Sequence, residues 1–216
     1  MQTEIVLYTY FRSSCSWRVR IALALKGIEY ESRPVNLIKD GGEQHAAEYK
    51  TLNPQEQVPT LVWDGIVLTQ SMAIMVYIDD MKPDPPLLPI DPVKKAQALA
   101  LAELINSGIQ PLQNLHVLQK VGEDKKMEWA QFWINKGLTA FEKMLKDTAG
   151  KYCVGDSITL ADICLVPQVY NAHRFNVDLG QFPLIQKIAA ALENHEAFKA
   201  ADALVQPDCP EDLRKK

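Results

Sequence analysis

No segment of this 216-residue chain strings together the ~20 apolar residues that a membrane-spanning helix needs. The N-terminus sets Glu4 ahead of a short apolar run and lacks the basic flank of a secretory signal, so the chain is expected to be soluble, unprocessed and independent of membranes. Positive charge is also scarce. With 23 Lys and Arg against 27 Asp and Glu, the formal net charge is −4, which argues against a broad hold on nucleic acid or anionic lipid. The four cysteines, Cys15, Cys153, Cys164 and Cys209, form no C-x-x-C pair and no zinc-type spacing, a usage that suits a reducing, cytoplasmic setting. His45, His116, His173 and His195 have no ligand spacing with acids or cysteines, so no metal site is expected. With 10 glycines and 13 prolines, collagenous and low-complexity chains are excluded as well.

What is present is a globular composition, 47% hydrophobic and 23% charged, long enough for two packed lobes. The first third alternates short β-like runs with amphipathic stretches. Ile5 to Tyr8 reads as a strand, Ser14 to Lys26 as a helix stopped at Gly27, and Ile28 to Arg33 as a second strand, parallel to the first. Pro59 to Trp63 and Ile66 to Leu68, separated by Asp64-Gly65, read as a hairpin, and Gln70 to Met81 as a third helical element. This order is thioredoxin-like. Residues 82–92 contain five prolines and read as a linker. Beyond it the pattern is helical, with long elements at roughly 93–120, kinked at Gly108 and Pro111, and at 124–147. The fold class expected is therefore α/β plus all-α, an N-terminal thioredoxin-like domain over 3–84 and a C-terminal helical bundle over 91–213. Thr159 and Asp162 form a capping box, with Ile158 and Ile163 as a hydrophobic staple, at the start of the most apolar helix. Asp162 is accordingly read as structural.

Three signals point to a ligand. The turn Tyr10 to Arg18 joins the first strand to the first helix, where α/β proteins bind ligands against unpaired helix N–H groups. Capping of the helix by Ser13 or Ser14 is the more usual reason for serines there, so position alone does not assign them to a ligand. Pro59 cannot donate to a ladder, and a cis Val58-Pro59 bond would turn the Val58 backbone toward a strand-like peptide. Gln70-Ser71 precedes the third helix, a second N-terminus suited to a carboxylate. Together they suit an anionic tripeptide.

The run Ser13-Ser-Cys-Ser-Trp-Arg-Val-Arg20 resembles the signature S-S-C-x-[WH]-R-V-R of the zeta-class glutathione transferases, the maleylacetoacetate isomerases. The Val58-Pro59, Gln70-Ser71 and Thr159-to-Asp162 features are similar to those shared by glutathione transferases at large. The resemblance extends over essentially the whole chain. It implies an enzyme with glutathione as cofactor, a homodimer, and a glutathione site of Ser13, Ser14, Cys15, Ser16, Trp17, Arg18, Gln44, Val58, Gln70 and Ser71, joined by Gln110, Asn114, Leu115 and His116 of the second domain. Gln110 and Asn114, four apart, are expected on one helical face beside Gln113 and His116. The implied reaction is isomerisation of maleylacetoacetate to fumarylacetoacetate in tyrosine and phenylalanine catabolism, with transferase activity toward small electrophiles such as α-halo acids. Ser13 is the expected donor to the glutathione thiolate, Ser14 the second choice, and Cys15 close to the reacting centre but dispensable. A small dicarboxylic keto or enol acid needs a cationic anchor, for which Arg174 is the candidate and Arg12 the alternative. Two rivals remain at this point: a monothiol reductase working through Cys15, and a non-catalytic ligand-binding protein on the same fold.

Overall fold

A computed structural model of the protein describes residues 4–215; Thr3, where the first domain is expected to begin, lies outside them. Two compact units divide the chain. One runs to Pro85 and resumes at Glu196, and the other spans Pro86–His195.

The first unit is built on β1 (Ile5–Thr9), α1 (Ser14–Leu25), β2 (Glu31–Pro34), α2 (Ala47–Leu52), β3 (Thr60–Trp63), β4 (Ile66–Thr69) and α3 (Ser71–Met81). Its sheet has the order β2-β1-β3-β4, with β1 and β2 parallel and the other pairs antiparallel. A parallel pair needs a crossover, and α1 supplies it with Trp17, Val19, Ile21, Ala22 and Leu23 all buried. Gly27, at φ 58, ends that helix as a left-handed residue. The Ile28 N–H then turns back to the Leu23 carbonyl at 2.9 Å, which is why β2 starts at Glu31 and not at Ile28. The hairpin turns on Asp64 and Gly65 at φ 47 and 81, the mirror-image turn that Asp-Gly favours.

The second unit contains α4 (Pro92–Gly108), α5 (Leu115–Val121), α6 (Lys126–Thr148), α7 (Leu160–Arg174) and α8 (Pro183–Glu193). The single kinked helix expected over 93–120 is in fact broken in two. After Gly108 comes a 3₁₀ turn, Gln110–Gln113, and Asn114 is extended at φ −67 and ψ 151 before capping α5. Pro111 has no N–H to continue the α ladder and disfavours helical geometry at the residue before it. Gln110 and Asn114 therefore share no helical face. The capping box forms as read: Thr159 Oγ1 accepts the Ala161 N–H at 3.3 Å, and Asp162 Oδ2 accepts the Thr159 N–H at 2.8 Å. It starts the buried helix α7.

The second unit ends at His195, short of the expected 213. The last helix, α9 (Glu196–Ala201), packs on α1 in the first unit. Among the described residues no helix is long and apolar enough to cross a membrane, and no cluster of His, Cys, Asp and Glu could hold a metal ion.

Candidate active site

The register of the sheet brings the loops of interest to one edge. Tyr8 pairs with Thr60 and Thr60 with Thr69, so the end of β1, the start of β3 and the end of β4 all open on the same side. Three loops carrying Ser13, Val58 and Gln70 meet there.

Ser13 is the N-cap of α1, extended at φ −69 and ψ 115, and its Oγ accepts the Ser16 N–H at 3.2 Å. An accepting hydroxyl keeps its proton free to donate elsewhere. Capping and donation to a ligand are thus compatible uses of one hydroxyl. Cys15 is a free thiol of intermediate exposure, whereas Ser14, Ser16, Trp17 and Arg18 are buried. Arg18, 0% exposed, crosses to the second helix N-terminus, where its Nη1 donates to Ser71 Oγ at 3.3 Å. Ser71 is itself 4% exposed and stands as Ser13 does, with a lone pair engaged from inside the protein. Gln70 caps α3 in the left-handed region at φ 70 and ψ 113, a strained state for a residue with a Cβ, of the kind that concentrates at ligand clamps. Its Nε2 donates to Gln55 Oε1.

Next along the chain from Gln55, Glu56 closes the set. Its carboxylate meets His45 Nδ1 at 2.5 Å and Lys50 Nζ at 3.2 Å, and His45 Nε2 lies 3.1 Å from Gln44 Nε2. The His45 ring beside it, and then Lys50, hold the Glu56 carboxyl below its usual range. Gln44 is buried with its amide folded over Gly42, where a Cβ would lie 2.4 Å from Nε2, and Gly42 has φ 109. The backbone conformation is what favours glycine here, since Gly41 and Gly42 both lie at positive φ, 83 and 109, which accounts for the Gly41-Gly42 break. Val58 is buried and its bond to Pro59 is cis. A continuous series of contacts thus runs from the Ser13 turn through Arg18, Ser71, Gln70, Gln55, Glu56 and His45 to Gln44.

Arg20 was not singled out by the sequence. It is 1% exposed and donates to the Thr9 hydroxyl at 3.0 Å, the Tyr10 carbonyl at 3.3 Å, the Phe11 carbonyl at 2.9 Å and the Ala201 carbonyl at 3.1 Å. Burial lowers its pKa to about 10, which leaves it charged at neutral pH. A cation set between Val19 and the apolar run Ile21-Ala-Leu-Ala-Leu25 of its helix is the available signal. Arg12, half-exposed, lies over the Phe11 ring at 5.6 Å.

In the second unit, Gln110 is half-buried in the 3₁₀ turn, Asn114 Oδ1 accepts the Leu115 N–H at 2.7 Å, Leu115 is half-buried and His116 exposed. Gln113 is buried in a reciprocal amide pair with Gln168, 3.1 Å in each direction. Arg174 is the exposed last residue of α7, its Nη1 3.4 Å from Asn171 Oδ1 and its guanidinium 5.4 Å from the Phe175 ring.

The chain is similar to known proteins over its whole length. The family models described as glutathione S-transferase N-terminal domain and C-terminal domain match residues 12–81 and 112–201. Maleylacetoacetate isomerase of Rattus norvegicus is 58% identical over 209 residues, 97% of this chain and 97% of that protein. A crystal structure of maleylacetoacetate isomerase from Anaeromyxobacter dehalogenans 2CP-1, with dicarboxyethyl glutathione and citrate bound in its active site, superposes with a TM-score of 0.87 at 42% identity, covering 97% of this chain and 99% of that one. Maleyl pyruvate isomerase, a bacterial glutathione S-transferase in the zeta class, superposes at 0.91 and 40% identity, covering 95% and 100%.

Proposed function

This chain belongs to the zeta class of the glutathione S-transferase family, and from that premise we propose that it catalyses the glutathione-dependent cis-trans isomerisation of maleylacetoacetate to fumarylacetoacetate. The observation that carries the reading is the Ser13 hydroxyl at the N-terminus of α1, accepting from Ser16 and free to donate. The residues fit an anionic tripeptide. Two helix N-termini, two serine hydroxyls with their lone pairs engaged from within, and the confined Gln44 amide offer donors where an anion needs them.

When bound, glutathione supplies a thiolate whose addition makes the cis double bond a rotatable single bond and whose elimination returns the trans alkene with glutathione unconsumed. The chain has to keep that thiol ionised. An ordinary cysteine-type thiol, with a pKa of about 8.5, is only ~3% thiolate at pH 7, and lowering the pKa by ~2 units takes about 2.7 kcal/mol. A hydroxyl donating to a charge contributes roughly 1.5 to 3 kcal/mol, and a helix N-terminus about 0.3 to 1 more. Ser13 on α1 is therefore sufficient for the task, with Ser14 as second choice. Cys15 is dispensable in this scheme, which separates it from a monothiol reductase; full isomerase activity in Cys15→Ala is the expected result.

Ser13, Cys15, Gln44, Val58, Gln70 and Ser71 are the proposed glutathione contacts of the first unit. Ser14, Ser16, Trp17 and Arg18 complete the set from buried positions. Gln110, Asn114, Leu115 and His116 are the proposed contacts of the second. Arg174 is the proposed anchor for a substrate carboxylate, with Arg12 the alternative. The relative crystallised with a dicarboxyethyl adduct of glutathione and with citrate favours a substrate with two acidic ends. The same thiolate would serve conjugation of small electrophiles such as α-halo acids. The setting proposed is the cytoplasm, in tyrosine and phenylalanine catabolism. A homodimer is proposed as well, supported by the exposed apolar residues Ile66 and Val67 on edge strand β4 and Met81 on α3, and checked by sedimentation. The deciding experiment measures conversion of maleylacetoacetate with and without glutathione: conversion that needs glutathione but does not consume it is expected, and conversion without it would overturn the reading.

A further inference from the structure

The turn that delivers Ser13 is fixed by a carboxylate from the far end of the chain. Asp208 Oδ2 accepts the Phe11 N–H at 2.7 Å across 197 residues of sequence. On the other side of Phe11, the buried Arg20 holds its carbonyl at 2.9 Å and the Tyr10 carbonyl at 3.3 Å. The Ser13 N–H closes the turn on the same Tyr10 carbonyl at 3.0 Å. Both peptide groups of Phe11 are thus clamped by side chains outside the turn. With only two soft dihedrals per residue between them, the path to Ser13 follows from that clamp.

Asp208 Oδ1 is buried and has no hydrogen-bond partner among the described residues. A buried carboxylate oxygen in that state needs a compensating charge nearby, and Asp208 acts electrostatically on Arg20, together with Tyr30 and Asp202. The carboxylate and the guanidinium hold the two peptide groups of the same residue, Phe11, and so tie the segment after α9 to the active-site turn. We propose that Asp208 is a positioning residue for the isomerisation: by clamping the Phe11 N–H it sets where the Ser13 hydroxyl points. This rests on the reading that Ser13 ionises the glutathione thiol.

The test reads the ultraviolet absorbance of the enzyme-bound thiolate against pH, glutathione affinity by calorimetry, and kcat, in Asp208→Ala, Asp208→Asn, Ser13→Ala and the Ser13→Ala/Asp208→Ala double variant. Asp208→Ser, whose hydroxyl stops short of Phe11, replaces the alanine variant should that one not fold. Asp208→Ala is expected to raise the pH at which the bound thiol ionises by about one unit and, measured at a pH below both midpoints, to lower kcat about tenfold with glutathione affinity changed less than twofold. Asp208→Asn keeps an acceptor for Phe11 and restores most of kcat. In the Ser13→Ala background the Asp208 change costs nothing further, because residues that act as a unit are not additive. Unchanged ionisation in Asp208→Ala, or an equal loss of kcat in both backgrounds, overturns the inference while leaving Ser13 in place. Unchanged ionisation in Ser13→Ala overturns the assignment of Ser13 and this inference with it.

Discussion

Ser13 Oγ and the Ser16 N–H are joined at 3.2 Å, and the direction of that bond decides what each group can still do. The backbone proton is spent on the cap; the hydroxyl proton is not. Stability and catalysis therefore draw on different halves of one side chain, and substitutions can separate them. Ser13→Ala loses both, with a stability loss of about 1 kcal/mol and a fall in kcat of roughly a hundredfold. Ser13→Asp accepts from Ser16 but has no proton to donate, so thermal denaturation is expected to return to the wild-type midpoint while kcat stays low. Recovery of kcat in Ser13→Asp would remove the hydroxyl proton from the mechanism.

Ser71 repeats the arrangement at the start of α3, with Arg18 Nη1 as the internal donor at 3.3 Å. Its hydroxyl proton is proposed to serve glutathione binding and not the ionisation of the thiol. Ser71→Ala is thus expected to weaken glutathione binding about tenfold, the loss of one charge-assisted bond, with kcat at saturation nearly unchanged. Calorimetric titration and steady-state kinetics together check the split.

Glu56 supports Gln44 through His45, and this support has a pH limit. Because the folded-state pKa of Glu56 is lowered by His45 first and Lys50 second, its contribution to stability is present above the ordinary value of 4.5 and is lost as pH falls through the folded value. NMR titration of Glu56 should show the depressed midpoint, and His45→Ala should raise it. Glu56→Gln, which cannot hold the His45 ring as firmly, is expected to raise the glutathione KM about threefold, within the range of a weakened hydrogen bond.

The parts of this molecule that local chemistry specifies were legible from the chain. Asp64-Gly65 announces the hairpin, Thr159 and Asp162 the start of α7, and Ser13 the start of α1, each within four residues of its partner. What was hidden depends on contacts between distant residues. Nothing near Asp208 shows that it meets Phe11, and nothing near Glu196 shows that the chain leaves the second unit there. Arg20 stands two residues from Arg18, so in a helix the two side chains leave on different sides: one to Ser71, the other to the Phe11 turn. The motif records both arginines without saying that they brace different things. The break at Pro111 is hidden for another reason, since periodicity on either side of it is the same whether the helix bends or stops.

Arg174 ends α7 exposed to solvent, leaning on Phe175, with Asn171 at 3.4 Å. Arg174 is the proposed anchor because a guanidinium can hold a carboxylate in a bidentate pair. Arg174→Ala is expected to raise KM for the dicarboxylic substrate by about tenfold or more, for a charge-assisted contact of roughly 1.5 to 3 kcal/mol. Arg174→Lys should recover only part of this, since the fork geometry is lost. The same pair of substitutions at Arg12 distinguishes the alternative: whichever arginine moves KM without moving glutathione affinity is the anchor.

Asp162 is a buried acid whose hydrogen bonds all serve the start of α7 and the loop before it, and a structural role is expected of it. It is 0% exposed, and its two oxygens accept the Cys153 N–H at 2.9 Å, the Thr159 N–H at 2.8 Å and the Thr159 hydroxyl at 3.1 Å. Removing the carboxylate orphans two backbone donors inside the second unit, each costing about 1 to 3 kcal/mol. Asp162→Ala is accordingly expected to destabilise the protein by about 3 to 5 kcal/mol, read as a lower urea midpoint at an unchanged slope. Asp162→Asn keeps one acceptor oxygen and should lose less, but it cannot serve both donors at once. In each variant kcat per folded molecule should stay within twofold of wild type. A large loss of kcat in protein that melts normally would instead make Asp162 part of the catalytic machinery.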